Sequence, residues 1–277
     1  MLEIPESSIL SRQLSETIKG KTVKNVFANK SPHKFAFYNG DPALYQELLK
    51  GKKIGTAKPR GGMVEIEAED IRILLSDGAV AHFFREGEKL PEKHQLHIEF
   101  EDGSSLVCSV QMYGGLWVFR EGTLDNEYYN AAKDKPSPLE RSFDEKYFMK
   151  MIEEAKETMS LKALLATEQR IPGLGNGVLQ DILFNAGLNP KDKLKQLTGK
   201  EKKELFRSLK ATLAEMTEEG GRDTEKDLFG KPGGYKTLMS SKSYKYPCHK
   251  CKGEIRKEAY MGGSVYYCQL CQPHKET

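Results

Sequence analysis

The 277-residue sequence holds no run of eighteen or so consecutive apolar residues, the least that a membrane-crossing helix needs. We therefore expect no membrane span. Met1-Leu2-Glu3 opens directly into polar sequence, with no basic stretch ahead of an apolar one, so no signal peptide is expected either. Tryptophan is scarce (one residue), no internal repeat is visible, and the formal net charge is only +3. Cysteine is scarce too, at five residues. Nothing in this pattern resembles a secreted, disulfide-dense scaffold, and it points to a reducing, cytoplasmic setting, nucleoid-associated in a bacterium. Cys108 lies in a strand-like run and reads as a small core residue.

The other four cysteines fall in the last thirty residues as Cys248-x2-Cys251-x16-Cys268-x2-Cys271. Two CxxC knuckles at that interval read as a metal site. Four thiolates converging on one point suit a single structural Zn²⁺ ion in a closed tetrahedron. Two disulfides or a redox CxxC are the competing readings. The stretch between the knuckles carries Lys252, Arg256 and Lys257 and is long enough for a β-hairpin whose tip is Met261-Gly262-Gly263-Ser264.

The small net charge hides an asymmetry. Residues 191–277 hold 19 Lys and Arg against 12 Asp and Glu, whereas residues 1–190 hold 24 against 28. A basic C-terminal third beside a metal knuckle suggests a polyanionic partner, nucleic acid above all. Surface lysine kept for solubility is the plain alternative.

Residues 6–19 have helical spacing closed by Gly20. From there to residue 119 the pattern changes to short strands, at 23–27, 35–38, 63–68, 71–75, 96–100, 105–110 and 116–119, with one short helix near 43–49. This predicts a β-sandwich or barrel over residues 1–130. Residues 131–142, with Pro136 and Pro138, read as a linker. Helical spacing returns at 144–156, 160–167, 176–186 and 198–217, with Asp144, Ser160 and Thr198 as N-caps. Residues 220–246 are rich in Gly, Lys and Ser and read as a mobile loop closing a helical domain over 143–246; the metal hairpin occupies 247–277. The class is α+β, and a monomer is expected.

Between two of the helices runs Ile171-Pro172-Gly173-Leu174-Gly175-Asn176-Gly177. Gly173 and Gly175 permit positive φ and close backbone approach. Asn176 would open the second helix, where free amides favour a phosphate, and Lys162 could add a second contact. An αα-corner whose glycines only allow tight packing remains the alternative.

Taken together, these residues resemble the formamidopyrimidine-DNA glycosylase and endonuclease VIII family of base-excision repair enzymes. Met1-Leu2-Glu3-Ile4-Pro5-Glu6 is similar to the family's opening M-P-E-L-P-E, and Gly173-Leu174-Gly175-Asn176 to the G-V-G-N of its helix–two-turn–helix motif. Asp181 stands where the family usually has Glu, Phe184-Asn185-Ala186-Gly187-Leu188-Asn189-Pro190 continues that motif, Gly220-Gly221-Arg222-Asp223-Thr224 resembles the start of its lesion-capping loop, and the cysteine hairpin resembles its zinc finger. The resemblance implies a protein that binds duplex DNA at damaged or abasic sites and flips the damaged nucleotide out. It also implies an N-terminal amine that forms a Schiff base at C1′, with Glu3 carrying protons and Glu6 beside it.

The chain departs from that pattern in named places. Leu2 replaces the family's proline, so Met1 is expected to stay and to present a primary amine one residue out of place. The segment that carries a phosphate-binding lysine reads Lys58-Pro59-Arg60-Gly61-Gly62, with glycine at the aligned position and Lys58 or Arg60 as substitutes. The finger-tip arginine falls on Gly262-Gly263, and the residues that fill the gap left by a flipped base fall near Gln111-Met112-Tyr113-Gly114-Gly115. Met112 or Tyr113 is the candidate wedge, or else a core or surface residue of the sandwich. Three functions stay open: a glycosylase and abasic-site lyase using Met1, a non-catalytic binder of damaged DNA, and a binder of structured RNA or a nucleoprotein assembly.

Overall fold

The computed structural model describes residues 1–275. Its first helix, α1 (Ile4–Ile18), has Pro5 in the first turn, where a missing N–H costs nothing, and ends before Gly20 at φ 85°. Among the described residues eleven strands and seven helices follow the order anticipated above, with three differences of note. Strands β1 (Val23–Ala28) and β2 (Ala36–Phe37) lead to a 3₁₀ turn and the short α2 (Tyr45–Leu49). Then come β3 (Ile54–Arg60), β4 (Met63–Ala68), β5 (Ile71–Ser76), β6 (Ala79–Phe84), β7 (Leu96–Phe100), β8 (Ser105–Val110) and β9 (Gly114–Arg120). They form a four-stranded sheet, β1-β7-β8-β6, packed on a five-stranded sheet, β2-β9-β5-β4-β3. All pairings are antiparallel except β2 with β9.

Two strands escape a reading by periodicity. β3 contains Gly55 and Pro59 and is mostly half-exposed, because it is an edge strand that pairs only with β4, where Pro59 leaves no interior ladder bond unmade. β6 follows Asp77-Gly78, which carries the chain from one sheet to the other instead of closing a hairpin. Asp77 takes φ 44° there, and Gly78 must be glycine because a Cβ would lie 2.5 Å from the Tyr113 carbonyl oxygen.

The third difference is α3 (Glu127–Asp134), whose second half occupies sequence that reads as linker. Asn126 caps it by accepting from the Tyr129 amide at 3.0 Å, and Tyr129 packs with Met63, Leu74 and Phe119. The helical region contains α4 (Glu145–Glu153), α5 (Leu161–Ala166), α6 (Val178–Asn185) and α7 (Gly199–Glu218). Asp144, Ser160 and Thr198 are their N-caps as anticipated, with a full capping box at Thr198 and Glu201. At α6 the helix begins one residue after Gly177, not at Asn176, whose side chain is engaged elsewhere. β10 (Ile255–Tyr260) and β11 (Gly263–Cys268) form the terminal hairpin.

Two cores result, and α1 belongs to both. Ile4 packs with Phe148, Leu164, Leu179 and Leu209, while Leu10, Leu14 and Ile18 pack with Val64, Ile73, Leu106 and Phe100 of the sandwich. The segment 220–246 has no helix or strand, yet it is anchored. Leu228 is fully buried in the sandwich core, and Tyr235 and Met239 are buried on the helical and hairpin sides. The N-terminus therefore starts in a seam between two cores, under a tethered loop.

Candidate functional site

Two backbone hydrogen bonds fix the start of the chain in that seam. The Leu2 amide donates to the Asp77 carbonyl and the Ile4 amide to the Gly173 carbonyl, each at 3.0 Å. This turns the Glu3 side chain toward the start of α6. Its Oε1 accepts from the Gly177 amide at 2.9 Å and its Oε2 from the Val178 amide at 2.8 Å. One helical turn on, Glu6 accepts from Nε of Arg222 at 2.9 Å and from its Nη2 at 2.8 Å, a two-pronged pair, and from the Arg222 amide at 3.2 Å. Arg222 Nη1 also lies 3.5 Å from Glu3 Oε1. All three side chains are buried. One buried arginine thus sits between two buried carboxylates.

Glycines make room for this cluster. A Cβ on Gly177 would lie 1.7 Å from Arg222 Nη1, and one on Gly175 would lie 2.8 Å from the Glu3 carboxyl carbon. Gly173, at φ 79°, packs on Gly62, where a Cβ would lie 2.9 Å from the Leu2 carbonyl oxygen. The glycine turn is therefore shaped around the N-terminal carboxylates, which the spacing alone did not reveal.

The two carboxylates are not equivalent. Burial pushes the Glu3 pKa above the usual carboxylate range, and the Glu6 charge adds to this against Arg222 and the α6 amides. Burial would raise Glu6 as well, but the Arg222 charge and its hydrogen bonds outweigh it, and Glu6 is held below the usual range. The nearby pair splits into a carboxyl able to carry a proton and a fixed carboxylate. Asp181, in α6, accepts from the Leu238 and Met239 amides at 2.9 and 2.7 Å, and its burial pushes its pKa up to about 6.

The Met1 α-ammonium pairs with the Glu225 carboxylate, which hangs from the 220–246 segment. Two cavities meet at this residue. One, of about 250 Å³, is lined by Met1, Glu6, His82, Gln111, Arg222 and Glu225 among others; the second, of about 760 Å³, is lined by Met1, Glu3, Asp77, Tyr113, Trp117 and Asn176 among others. An amine, a protonatable carboxyl and a pocket of side-chain size thus adjoin a wider cleft.

A family model described as the formamidopyrimidine-DNA glycosylase H2TH domain matches residues 135–227. The formamidopyrimidine-DNA glycosylase of Bacillus cereus is 26% identical over 279 residues, covering 99% of each chain. That of Wolbachia pipientis subsp. Culex pipiens is 28% identical over 281 residues, covering 98% of this chain and all of the other. In fold, the chain matches the Fpg protein of Thermus thermophilus with a TM-score of 0.80 at 24% identity, over 99% of this chain and all of that one. It matches Lactococcus lactis Fpg, in a complex with abasic-site DNA, with a TM-score of 0.83 at 22% identity over 98% of this chain and 99% of that one. Along nearly its whole length the chain is similar to formamidopyrimidine-DNA glycosylases, and residues 135–227 match their H2TH domain.

The remaining site residues divide clearly. Asn176 and Lys162 come together, but beneath the hairpin tip: Asn176 Nδ2 donates to the Ser264 carbonyl at 2.9 Å and Lys162 Nζ to the Tyr260 carbonyl at 2.5 Å. Gln180 joins them, donating to Ser264 at 3.1 Å and accepting from the Tyr266 amide at 3.0 Å. Lys58 and Arg60 are not brought to the N-terminus. Lys58 pairs with Glu67 at 2.7 Å on the outer edge of β3, and Arg60 pairs with the buried Glu65 at 3.0 Å, so neither lines the two cavities beside Met1. The reason is the pleat of β3, which aims both at carboxylates of β4. Met112 and Tyr113 are exposed at the β8–β9 turn and line the wider cleft, not the core.

The four cysteines converge, with all Sγ atoms within 4.8 Å of one another. Cys248 and Cys271 lie 3.8 Å apart and Cys251 and Cys268 3.3 Å apart. A tetrahedron with arms of about 2.3 Å has edges of about 3.8 Å, so the donor set fits one zinc-sized ion. Arg222, Glu225 and Gly177 are the residues that sequence reading passed over. Two acidic residues at the start of an apolar helix ask for a cation, but nothing local pairs them with Arg222, which lies 216 positions from Glu6.

Proposed function

We propose that this chain is a base-excision repair enzyme acting on damaged duplex DNA, a DNA glycosylase with abasic-site lyase activity. The Met1 α-amine is the nucleophile and Glu3 the proton carrier. The observation that carries this reading is the placement of the amine where the 250 Å³ pocket meets the wider cleft, which is also lined by Glu3, a buried carboxyl whose pKa is raised. The damaged base enters the 250 Å³ pocket, walled by Glu6, His82 and Arg222, and its sugar faces Met1. The Met1 nitrogen attacks C1′ as the C1′–base bond breaks, and the base leaves with a proton supplied by Glu3. Transfer of a proton from the nitrogen to O4′ breaks the C1′–O4′ bond, opens the sugar ring and yields the protonated imine, in which C1′ is bonded to Met1. Removal of a C2′ proton then expels the 3′ phosphate as a β-elimination. Glu6 stays a carboxylate throughout, because its role is to hold Arg222 and through it the loop.

Zinc, held by Cys248, Cys251, Cys268 and Cys271, would supply shape and no reaction step. It would hold together the hairpin whose tip rests on Lys162, Asn176 and Gln180. Those three residues hold the tip, and Gly262 and Gly263 of the tip line the wider cleft with Gly175 and Asn176, where the reading puts DNA. A non-catalytic binder of damaged DNA is the second reading, supported by the Met1–Glu225 ion pair, which ties up the amine in this conformation.

Borohydride trapping on duplex DNA with one abasic site decides between them. A covalent complex that maps to Met1 by peptide mass is expected. Glu3→Gln should slow base release by about 10²-fold or more, the usual scale for a positioned proton donor. A complex on a lysine would move the nucleophile, and binding without any complex would leave the binder.

A further inference from the structure

The wider cleft beside Met1 is lined in an unusual way. Four aromatic residues face it: Phe37 from β2, Tyr113 from the β8–β9 turn, Trp117 from β9 and Tyr128 from α3. Phe37, Tyr113 and Tyr128 are 49%, 44% and 57% exposed, a cost to a lone protein in water. Among the described residues none of these four rings stacks on another aromatic ring. Their placement is built in. Phe37 pairs in register with Gly115, and a Cβ on Gly115 would lie 2.6 Å from the Trp117 ring, so the indole lies across a backbone kept bare for it.

The charge of the cleft is the second observation. No lysine or arginine side chain lines it among the described residues, while Glu3 and Asp77 do. A wall meant for a phosphate backbone needs cations. A wall of exposed rings with no side-chain cation, where the Met1 α-ammonium is the one positive group and is paired with Glu225, suits nucleobases, each of which has a π-face to stack. The cleft is also continuous with the proposed catalytic site, since Met1, Glu3 and Asn176 line it.

We infer that this cleft seats unpaired nucleobases by stacking, so that the DNA the chain takes best is already opened around the damaged nucleotide. The inference rests on the DNA reading above. Phosphate contacts then fall outside the cleft, on the basic C-terminal third, and the cleft reads the loss of pairing.

Trp117 is the only tryptophan in the chain and so reports on the cleft directly. The test is a titration of the full-length protein with one abasic-analogue oligonucleotide, fully paired in one case and within an unpaired bubble in the other, at matched salt. The bubble should bind about tenfold tighter, the effect of one or two stacked bases, and should quench Trp117 emission. The ratio should persist as salt is raised, because stacking is not screened. Phe37→Ala and Tyr128→Ala should bring it back toward one, and Tyr128→Phe should retain it. Equal affinity for the two DNAs, or saturation by the bubble without change in Trp117 emission, would overturn the inference and leave the DNA reading standing. Binding to neither DNA would overturn both.

Discussion

Arg222 is the residue around which the site is arranged, and its environment states what it does. A buried ion pair stabilises little in itself, since desolvation offsets most of the attraction, but a buried charge left alone is costly. Arg222→Met should therefore destabilise the chain by about 3–5 kcal/mol, because Glu6 would stay buried without its partner. Gly177→Ala should be damaging for a different reason, the methyl group landing on the guanidinium. The double variant should cost less than the sum of the two, as the clash disappears with the arginine. Urea denaturation of the four proteins measures this, and simple additivity would mean that Gly177 serves only its own backbone. Glu3 and Glu6 could be picked from the sequence because they sit in a short N-terminal motif. Arg222 could not, since its partner is 216 positions away and only the fold brings them together.

At the scale of elements, the terminal hairpin shows how metal and packing share one task. A two-stranded ribbon is marginal alone. Here β10 and β11 gain the cysteine cluster at one end, and at the other they gain Lys162, Asn176 and Gln180, which hold the tip by its own carbonyls. Chelation, or Cys251→Ser, should unfold the hairpin and weaken DNA binding at fixed salt, while the rest of the chain keeps its helical circular dichroism. Unchanged affinity after verified metal removal would show that the tip is held by Asn176 and its neighbours without the ion. The cysteine spacing was legible because ligand geometry is local. β3 was not, because an edge strand covered by α1 tolerates the glycine, proline and charges that a sequence pattern counts against it.

The whole molecule is tied together by its first helix. Ile4 lies in the helical core, Leu10, Leu14 and Ile18 lie in the sandwich core, and Leu228 returns from the loop to the same sandwich. Calorimetry of the metal-loaded protein should therefore show one transition for the sandwich and the helical region together; two separate transitions would mean that α1 does not couple them. The sequence by itself determined the α+β class, the caps, most strands and the cysteine set, because each depends on spacing along a few turns of chain, while the candidate amine and carboxylates came from the resemblance of its opening residues to a known motif. Only the tertiary structure decided which groups share a site. It turned Lys58 and Arg60 toward Glu67 and Glu65, set Arg222 between Glu3 and Glu6, and gathered four rings on a cleft without side-chain cations. The physical reason is that charge pairing, burial and ring exposure depend on neighbours in space, and those neighbours come from distant parts of the chain.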